Sequence, residues 1–246
     1  MRTTHLHFTL LFLFFISHVL SSYSNPHENS PDAIFEEIKA RHEACPWLGP
    51  CYISPKVEFR ITKNDLPGAA ICAIIELNDV VVSVLCSRLF DRPTLDALMT
   101  DKAELIRQLL NKMDNIDRVG HYGRTLLNTA SACERSDIVQ MLLDKNCDVY
   151  SRDKGGRTAL MGAIESENVQ IVKMLLNKMD NVDQADFRGF TAMHDAARLG
   201  LYRIVKLLLT KTNLDYVNNM PTATPSHLAR RYGYGDVAQL IDSWSK

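Results

Sequence analysis

Short blocks of apolar residues recur along the C-terminal part of this chain, and each block has the same internal spacing. An alanine is followed nine residues later by Val or Ala, and after three further residues by a pair of mostly aliphatic side chains. The four clearest blocks contain Ala130, Ala163, Ala196 and Ala229. The residues after each alanine have the spacing of one helix face, and the alanine itself lies in a shorter helix before them. The pattern therefore predicts pairs of short α-helices.

A fixed period relates these blocks. Threonines that suit helix N-caps recur at equal intervals at Thr125, Thr158, Thr191 and Thr224. Glycines that permit a turn with positive φ stand two residues before three of them, at Gly123, Gly156 and Gly189. Two such short helices bury too little surface alone, so neighbouring units must stack into a solenoid.

The repeated threonine-to-alanine segment resembles the ankyrin-repeat family. Its T-P-L-H-x-A pattern is matched in part by Thr191–Ala196, Thr158–Ala163 and Thr125–Ala130, and Thr224–Ala229 contains the proline. The resemblance covers roughly Pro93 to Trp244 and implies an all-α ankyrin-repeat solenoid of helix-turn-helix units joined by hairpin loops. The glycine that the family carries after the second helix is replaced by Met113, Asn146, Met179 and Thr212. Only Asn tolerates a left-handed backbone, so we expect the other helix ends to differ.

Five units follow from the period, and less regular segments precede them. The units comprise residues 93–119, 120–152, 153–185, 186–218 and 219–246. Residues 67–92 repeat the block spacing once more and are interpreted as a divergent capping repeat, with a β-hairpin around Val80–Val82 as the alternative. Residues 25–66 form a short irregular extension that contains cysteines, in which we expect a helix from Pro31 to about Ala44 and a short strand over residues 56–61.

Residues 1–24 have the features of a secretory signal peptide. Arg2 precedes an apolar run from Phe8 to Val19, and small residues follow at Ser22 and Ser24. The run is shorter than a membrane-spanning helix requires. We therefore expect a secreted or extracytoplasmic protein (periplasmic in a bacterium), with no membrane attachment after cleavage.

Six cysteines follow the leader, and export permits disulfides. The short spacing of Cys45 and Cys51 suits one bridge, and Cys72 with Cys86 is a second candidate pair across the capping repeat. Cys147 occupies a position that suits a small buried side chain. Cys133 follows Ala130 by one helix turn and is expected to be a free thiol near the concave face.

Composition and motifs argue against several classes of function. Lys and Arg total 28 against 29 for Asp and Glu, so the chain lacks the basic surplus of a general nucleic-acid binder. It contains no phosphate-binding glycine loop, nucleophile elbow or zinc-protease motif. We predict no catalytic residues, no metal and no cofactor. In the family that the chain resembles, His194 and His227 would be structural residues that link neighbouring hairpins.

The resemblance implies that a protein partner binds to hairpin tips and to the concave face of the first helices. The corresponding residues are His121, Tyr122, Arg124, Lys154, Arg157, Phe187, Arg188, Phe190, Arg198, Arg231 and Tyr232. Exposed aromatic residues beside arginines are typical of interaction hot spots, with Phe187 and Phe190 as the strongest candidates. The basic residues of this face outnumber its one acidic residue, Glu165, so we expect a partner with acidic patches. We also expect the chain to be a monomer.

Two other functions remain open at this point. One is an effector that is exported by one organism and acts on a cytosolic target in the cells of another. The other is a thiol- or metal-dependent enzyme built from residues 25–66 and Cys133, which would require a thiol of low pKa or a bound metal.

Overall fold

The computed structural model describes residues 30–44, 53, 55–63, 65–75, 85–86, 88–90, 101–219 and 223–244. The secondary structure of these residues consists of α-helices and one 3₁₀ turn at His121–Gly123, with no strand. The helices are α1 (Pro31–Ala44), α2 (Pro55–Thr62), α3 (Leu66–Ile75), α4 (Lys102–Asn111), α5 (Leu126–Ala132), α6 (Ser136–Asp144), α7 (Ala159–Glu165), α8 (Val169–Lys178), α9 (Ala192–Arg198), α10 (Tyr202–Leu208), α11 (Leu214–Asn218), α12 (Pro225–Arg231) and α13 (Gly235–Trp244).

The helices of the C-terminal part form two layers, as the repeat pattern predicts. The inner helices α5, α7, α9 and α12 contact one another in sequence, and the outer helices α4, α6, α8, α10 and α13 do the same. The alanine at the centre of each inner helix is fully buried, at Ala130, Ala163, Ala196 and Ala229. A methyl group at this position lets adjacent helices approach closely. The two layers of contacting helices confirm the predicted all-α solenoid.

Threonine caps begin the inner helices at the predicted residues. The Thr125, Thr158 and Thr224 side chains each accept the backbone N–H three residues later, at 3.3–3.4 Å. The same position in α9 is occupied by Thr191, whose backbone N–H donates to Nδ1 of His194 at 3.1 Å. These bonds satisfy N–H groups that a helix start leaves without intrahelical partners.

Hydrogen bonds between units recur at one position of the period, three residues before each hairpin. Asp117, Tyr150 and Asp183 are equivalent residues of consecutive units, and each accepts a backbone N–H from the following unit. The donors are Asp148, Asp180 and Asn213, at 2.8, 2.8 and 2.7 Å. This shared role gives a physical reason for the aspartate that ends each of the near-identical segments Asn111–Asp117 and Asn177–Asp183.

The ends of the outer helices follow the expectation drawn from the missing glycines. Asn146 has a positive φ of 55°, whereas Met179 is extended with φ of −104°. A lysine compensates in part at the end of α8, because Nζ of Lys211 donates to the carbonyls of Leu176 and Met179 at 2.6 and 2.7 Å. The helix ends thus differ from unit to unit in their backbone geometry.

The described part of residues 25–66 contains two helices, α1 and α2, instead of a helix and a strand. Helix α3 begins at Leu66 and belongs to the segment interpreted as the capping repeat. Helix α1 has the predicted bounds, and Ser30 Oγ accepts the Ala33 N–H at 3.3 Å. The predicted strand over residues 56–61 is wrong, because Pro55–Thr62 is helical. Val57, Arg60 and Ile61 are buried together on one helical face. Over so few residues, the spacing of a helix face resembled the alternation of apolar and charged residues in a strand.

A buried ion pair connects this segment to the repeats. Arg60 and Asp65 are bonded to each other and almost fully buried, and Arg60 Nη2 also donates to the Arg118 carbonyl at 3.2 Å. Asp65 caps α3 through the Gly68 N–H at 3.1 Å, and a side chain on Gly68 would collide with the ion pair. Helix α3 itself contacts α4 and α5. The extension therefore packs on the first described units.

Of the two predicted disulfides, Cys72–Cys86 is not formed, and Cys45–Cys51 lies outside the described residues. Cys72 and Cys86 are buried thiols and are not bonded to each other, which corrects the expectation of a bridge. Both pack in the apolar core, and burial raises the pKa of the Cys86 thiol to about 12, so it stays protonated. Cys45 and Cys51 fall outside the described ranges, as do the leader and the segment around Val80.

His194 links two units and is fully buried. Its Nδ1 lies 2.8 Å from Thr191 Oγ1, and the ring also bonds the backbone of Ala223 in the next unit. Burial lowers the pKa of the imidazole to about 4, although Asp195 and the Ala223 bond favour the charged form. His227 is exposed in the last inner helix. The structural role predicted for His194 is thus confirmed, whereas the described residues include no ring bond from His227 to another unit.

His194→Asn should make stability less sensitive to acid. Folded His194 stays neutral down to about pH 4, while an unfolded imidazole gains a proton near its ordinary value of 6.5. Stability is therefore fully present above pH 6.5 and falls as the pH approaches 4. Urea unfolding from pH 7 to pH 4 should show about 3 kcal/mol more loss in the wild type than in the variant.

The chain supplies its own precedent for this substitution. Asn128 occupies the equivalent position in α5, and its Oδ1 accepts the Thr125 N–H at 3.0 Å. Asn should therefore preserve the capping bond at residue 194. His227→Asn serves as the control and should retain the wild-type pH dependence. Equal acid sensitivity in the wild type and His194→Asn would contradict the assignment.

Candidate protein-binding surface

The hairpins between units are narrow turns closed by backbone hydrogen bonds. The Asp153 N–H donates to the Arg157 carbonyl at 2.9 Å, and the Asp186 N–H donates to the Phe190 carbonyl at 2.8 Å. Gly156 adopts φ of 78°, and a Cβ there would lie 2.9 Å from the Phe187 backbone nitrogen. The glycine predicted for the turn is required both by conformation and by space.

Backbone hydrogen bonds also connect each hairpin to the next one. The Lys154 N–H donates to the Tyr122 carbonyl at 2.9 Å, and the Phe187 N–H donates to the Gly155 carbonyl at 3.0 Å. Each tip is thus held by the hairpin before it. The side chains at the tips project from a backbone with fixed geometry.

Phe187 is the most exposed of the large hydrophobic side chains that the structure describes. Its side chain is 72 % exposed, and the Arg152 guanidinium lies 5.3 Å from the ring centroid. Arg152 is itself held by the Gly156 carbonyl at 2.9 Å and by the Ala185 carbonyl. The result is an exposed aromatic ring supported by an anchored cation, which is the arrangement predicted for a contact residue.

Phe190 differs from the expectation of a second solvent-facing phenylalanine. It is half-buried, and its ring meets the His194 ring edge-on at a centroid distance of 5.6 Å. The Arg188 guanidinium covers it, 5.5 Å from the centroid. Phe190 therefore supports the hairpin by packing, and Phe187 alone of the two presents an open aromatic face.

Three arginines and two buried carboxylates form a continuous group beside these rings. We call Arg157, Arg188 and Arg198 the arginine row. Asp186 bonds Arg188 at 2.9 Å and lies 3.9 Å from Arg157. Asp195 bonds Arg157 and Arg198, both at 3.3 Å. The row thus extends over two successive hairpins and the inner helix α9.

The side chain of Asp186 stays ionised in this group. Burial would raise its pKa, but hydrogen bonds from the Phe190 N–H and from Arg188 outweigh that effect and lower the pKa below its usual value. The carboxylate therefore remains charged at neutral pH and holds Arg188 through Nε and Nη2. Charge-assisted bonds of this kind fix a guanidinium more firmly than neutral ones.

These carboxylates reduce the charge expected of this face. The sequence pattern placed only Glu165 there as an acidic residue, but Asp186 and Asp195 neutralise much of the arginine row, and Arg124 pairs with Asp153 at 3.3 Å. Comparison of the repeats could have indicated a structural carboxylate at Asp186, because Asp153 is the equivalent residue of the preceding hairpin. Asp195 has no acidic counterpart in the neighbouring units, so repeat comparison does not find it.

The structure brings some of the predicted contact residues together and keeps others apart. Phe190, Arg157, Arg188 and Arg198 lie in one connected group, next to Phe187 on the third hairpin. The remaining predicted residues lie elsewhere: Tyr122 is exposed on an earlier hairpin with Arg124, Lys154 is exposed on the second, and Arg231 and Tyr232 are exposed at the end of α12. The side chain of His121 lies outside the described part of the chain.

Residues with other chemistry are scattered. Cys133 is an exposed thiol, as expected, whereas Cys147 is buried and burial raises its thiol pKa to about 12. No three His, Cys, Asp or Glu side chains in the described ranges are grouped to hold a metal ion. Among the same residues, no helix has both the length and the apolar character to cross a membrane.

Comparison with known families agrees with this architecture. Residues 146–220 match a family model described as ankyrin repeats in three copies, and residues 122–151 match a model of the single ankyrin repeat. No curated protein matches the sequence. The stacked helix pairs and these matches together establish the fold as an all-α ankyrin-repeat solenoid, with its matched repeats over residues 122–220.

Proposed function

We propose that this chain is a non-catalytic binding protein that docks a protein partner on its hairpin tips and on the exposed face of its inner helices. Ankyrin repeats generally support protein interaction, and the observation that carries the proposal here is Phe187. A large aromatic side chain that is 72 % exposed and held in place by neighbouring hairpins is a poor choice for a solvated loop. It is well suited to an interface anchor.

Preorganisation is the physical advantage of this surface. Ordering flexible side chains opposes association, and a surface whose side chains are already fixed avoids much of that free-energy cost. Arg152 supports Phe187 from one side, and the buried carboxylates hold the arginine row in place. The exposed basic groups still favour a partner with acidic patches.

The leader predicts where this binding takes place. Residues 1–24 have the composition of a signal peptide, so we propose that the mature chain is exported and binds its partner as a monomer outside the cytoplasm that made it. Export, the monomeric state and the acidic character of the partner are parts of this proposal.

A second candidate is an exported effector that acts in the cytosol of another organism's cells. The buried thiols Cys86 and Cys147 favour it, because the cytosol keeps thiols reduced whereas secreted proteins commonly form disulfides. Alkylation without reductant, followed by mass spectrometry, tests this candidate. Cys133 should react in the folded protein, and Cys86 and Cys147 only after denaturation; a disulfide at either of these two would contradict it.

Phe187→Ala should weaken partner binding while leaving the fold intact. A partner captured with the mature chain as bait should bind the variant about 30-fold or more weakly, because interface anchors contribute about 2 kcal/mol or more. The thermal midpoint should shift by no more than about 2–4 °C, since the side chain is mostly exposed. Phe190 is left unchanged because it packs on His194.

Trp244→Ala provides the matched control. Trp244 is another exposed aromatic residue, but it lies at the end of α13, in the outer layer. This variant should bind the partner as the wild type does. Wild-type affinity for Phe187→Ala, or an equal loss for both variants, would rule out the third hairpin as the anchor.

A further inference from the structure

We propose that the arginine row is a receptor for a carboxylate of the partner, and that Glu165 occupies this receptor in the unbound protein. The inference rests on the proposed function and names the chemistry of its partner, an acidic protein segment. Its basis is one contact: Glu165 Oε1 lies 2.9 Å from Nη2 of Arg157, at the centre of the row.

The three guanidiniums are positioned before any partner arrives. Asp186 and Asp195 are almost completely buried. Asp195 bonds Arg157 and Arg198, whereas Asp186 bonds Arg188 and lies 3.9 Å from Arg157. Arginine has five N–H donors in a planar arrangement that matches a carboxylate. The Arg188 side chain remains 67 % exposed although Asp186 bonds its Nε and Nη2, so much of its surface stays open to a ligand.

The charges of the group favour an anion once Glu165 has moved away. Three arginines face two buried carboxylates, which leaves an excess of one positive charge around Arg157. Glu165 supplies the balancing charge, and its side chain is 49 % exposed at the end of α7. A half-exposed ion pair contributes little to stability, so a partner carboxylate with further contacts can replace it.

Neighbouring rings specify what surrounds that carboxylate. Phe190 lies under Arg188, and Phe187 stands on the same hairpin with an open face. An apolar side chain next to an acidic one would contact both parts of this surface. The fitting ligand is therefore a protein segment that carries acidic and aliphatic residues side by side. A nucleic acid is a poorer match, because the chain lacks the surplus of basic residues that phosphate binding requires.

The test measures binding of a short fluorescein-labelled peptide rich in glutamate and leucine, with its glutamine counterpart as the neutral probe. Fluorescence anisotropy at low salt should detect the acidic peptide on the full chain. Glu165→Gln should tighten that binding roughly threefold to fivefold, because the internal competitor is removed. Arg188→Gln with Arg198→Gln should weaken it about tenfold or more and reduce its salt dependence.

Glu104→Gln is the matched control for net charge. Glu104 forms a similar exposed ion pair with Arg107, at 3.2 Å on α4, and lies outside the arginine row. Its substitution changes the net charge by the same amount but should leave peptide affinity at the wild-type value. Thermal unfolding is measured for every variant. A midpoint close to that of the wild type shows that each comparison is made on folded protein.

Three outcomes would overturn the receptor. They are equal affinity for the acidic and neutral peptides, equal effects of Glu165→Gln and Glu104→Gln, and preferred binding of a labelled oligothymidylate over the acidic peptide. If the captured partner still requires Phe187 in any of these cases, the proposed function stands and only its acidic chemistry is wrong. If the captured partner binds Phe187→Ala as tightly as the wild type, the proposed anchor is wrong, whatever the result with the peptide.

Discussion

Lateral contact between consecutive units is the constraint on which this structure depends. Inner helices of two turns are too short to persist alone in water, where helix nucleation is unfavourable. They are stabilised by burying faces such as those around Ala163 and Ala196 against their neighbours on both sides. Polar bonds between units then fix their relative position, through the inner-helix residue His194 and through Asp183 before the third hairpin.

The candidate binding surface is a consequence of that same contact. A free hairpin would sample many conformations, but here the Phe187 N–H is bonded to the preceding hairpin, and Asp195 on α9 reaches Arg157 of the unit before it. Side chains from different units thereby become one rigid group. Recognition of a partner then depends on fixed positions of Phe187, Arg188 and Arg198, and less on the composition of any single loop.

The repeat pattern was sufficient to predict the architecture because stacking imposes it on the sequence. Every unit must meet an equivalent neighbour, so the buried alanines and the capping threonines such as Thr158 recur at one spacing. The segment of residues 56–61 has no such neighbour to compare. So short a segment fits either a strand or a helix, and burial of Arg60 with Asp65 gives no repeated signal.

The details of the site were less predictable, for a related reason. The period locates Phe187 and Phe190 on a hairpin, but it does not show that His194 beneath the hairpin would draw Phe190 into contact. Nor does it show that Asp195, which has no acidic equivalent in the neighbouring units, would pair with two arginines. Specific function resides in such departures from the repeat, so the sequence predicts the place of the site better than its charge.

The most direct measurement of the central claim compares one unit alone with the same unit in the chain. A synthetic peptide of residues 153–185 contains both helices, α7 and α8, and both capping residues, Thr158 and Asn168. Far-ultraviolet circular dichroism should find it largely unfolded, whereas the full chain should be helical and unfold cooperatively. A cooperatively folded helical peptide would contradict the dependence of each unit on its neighbours.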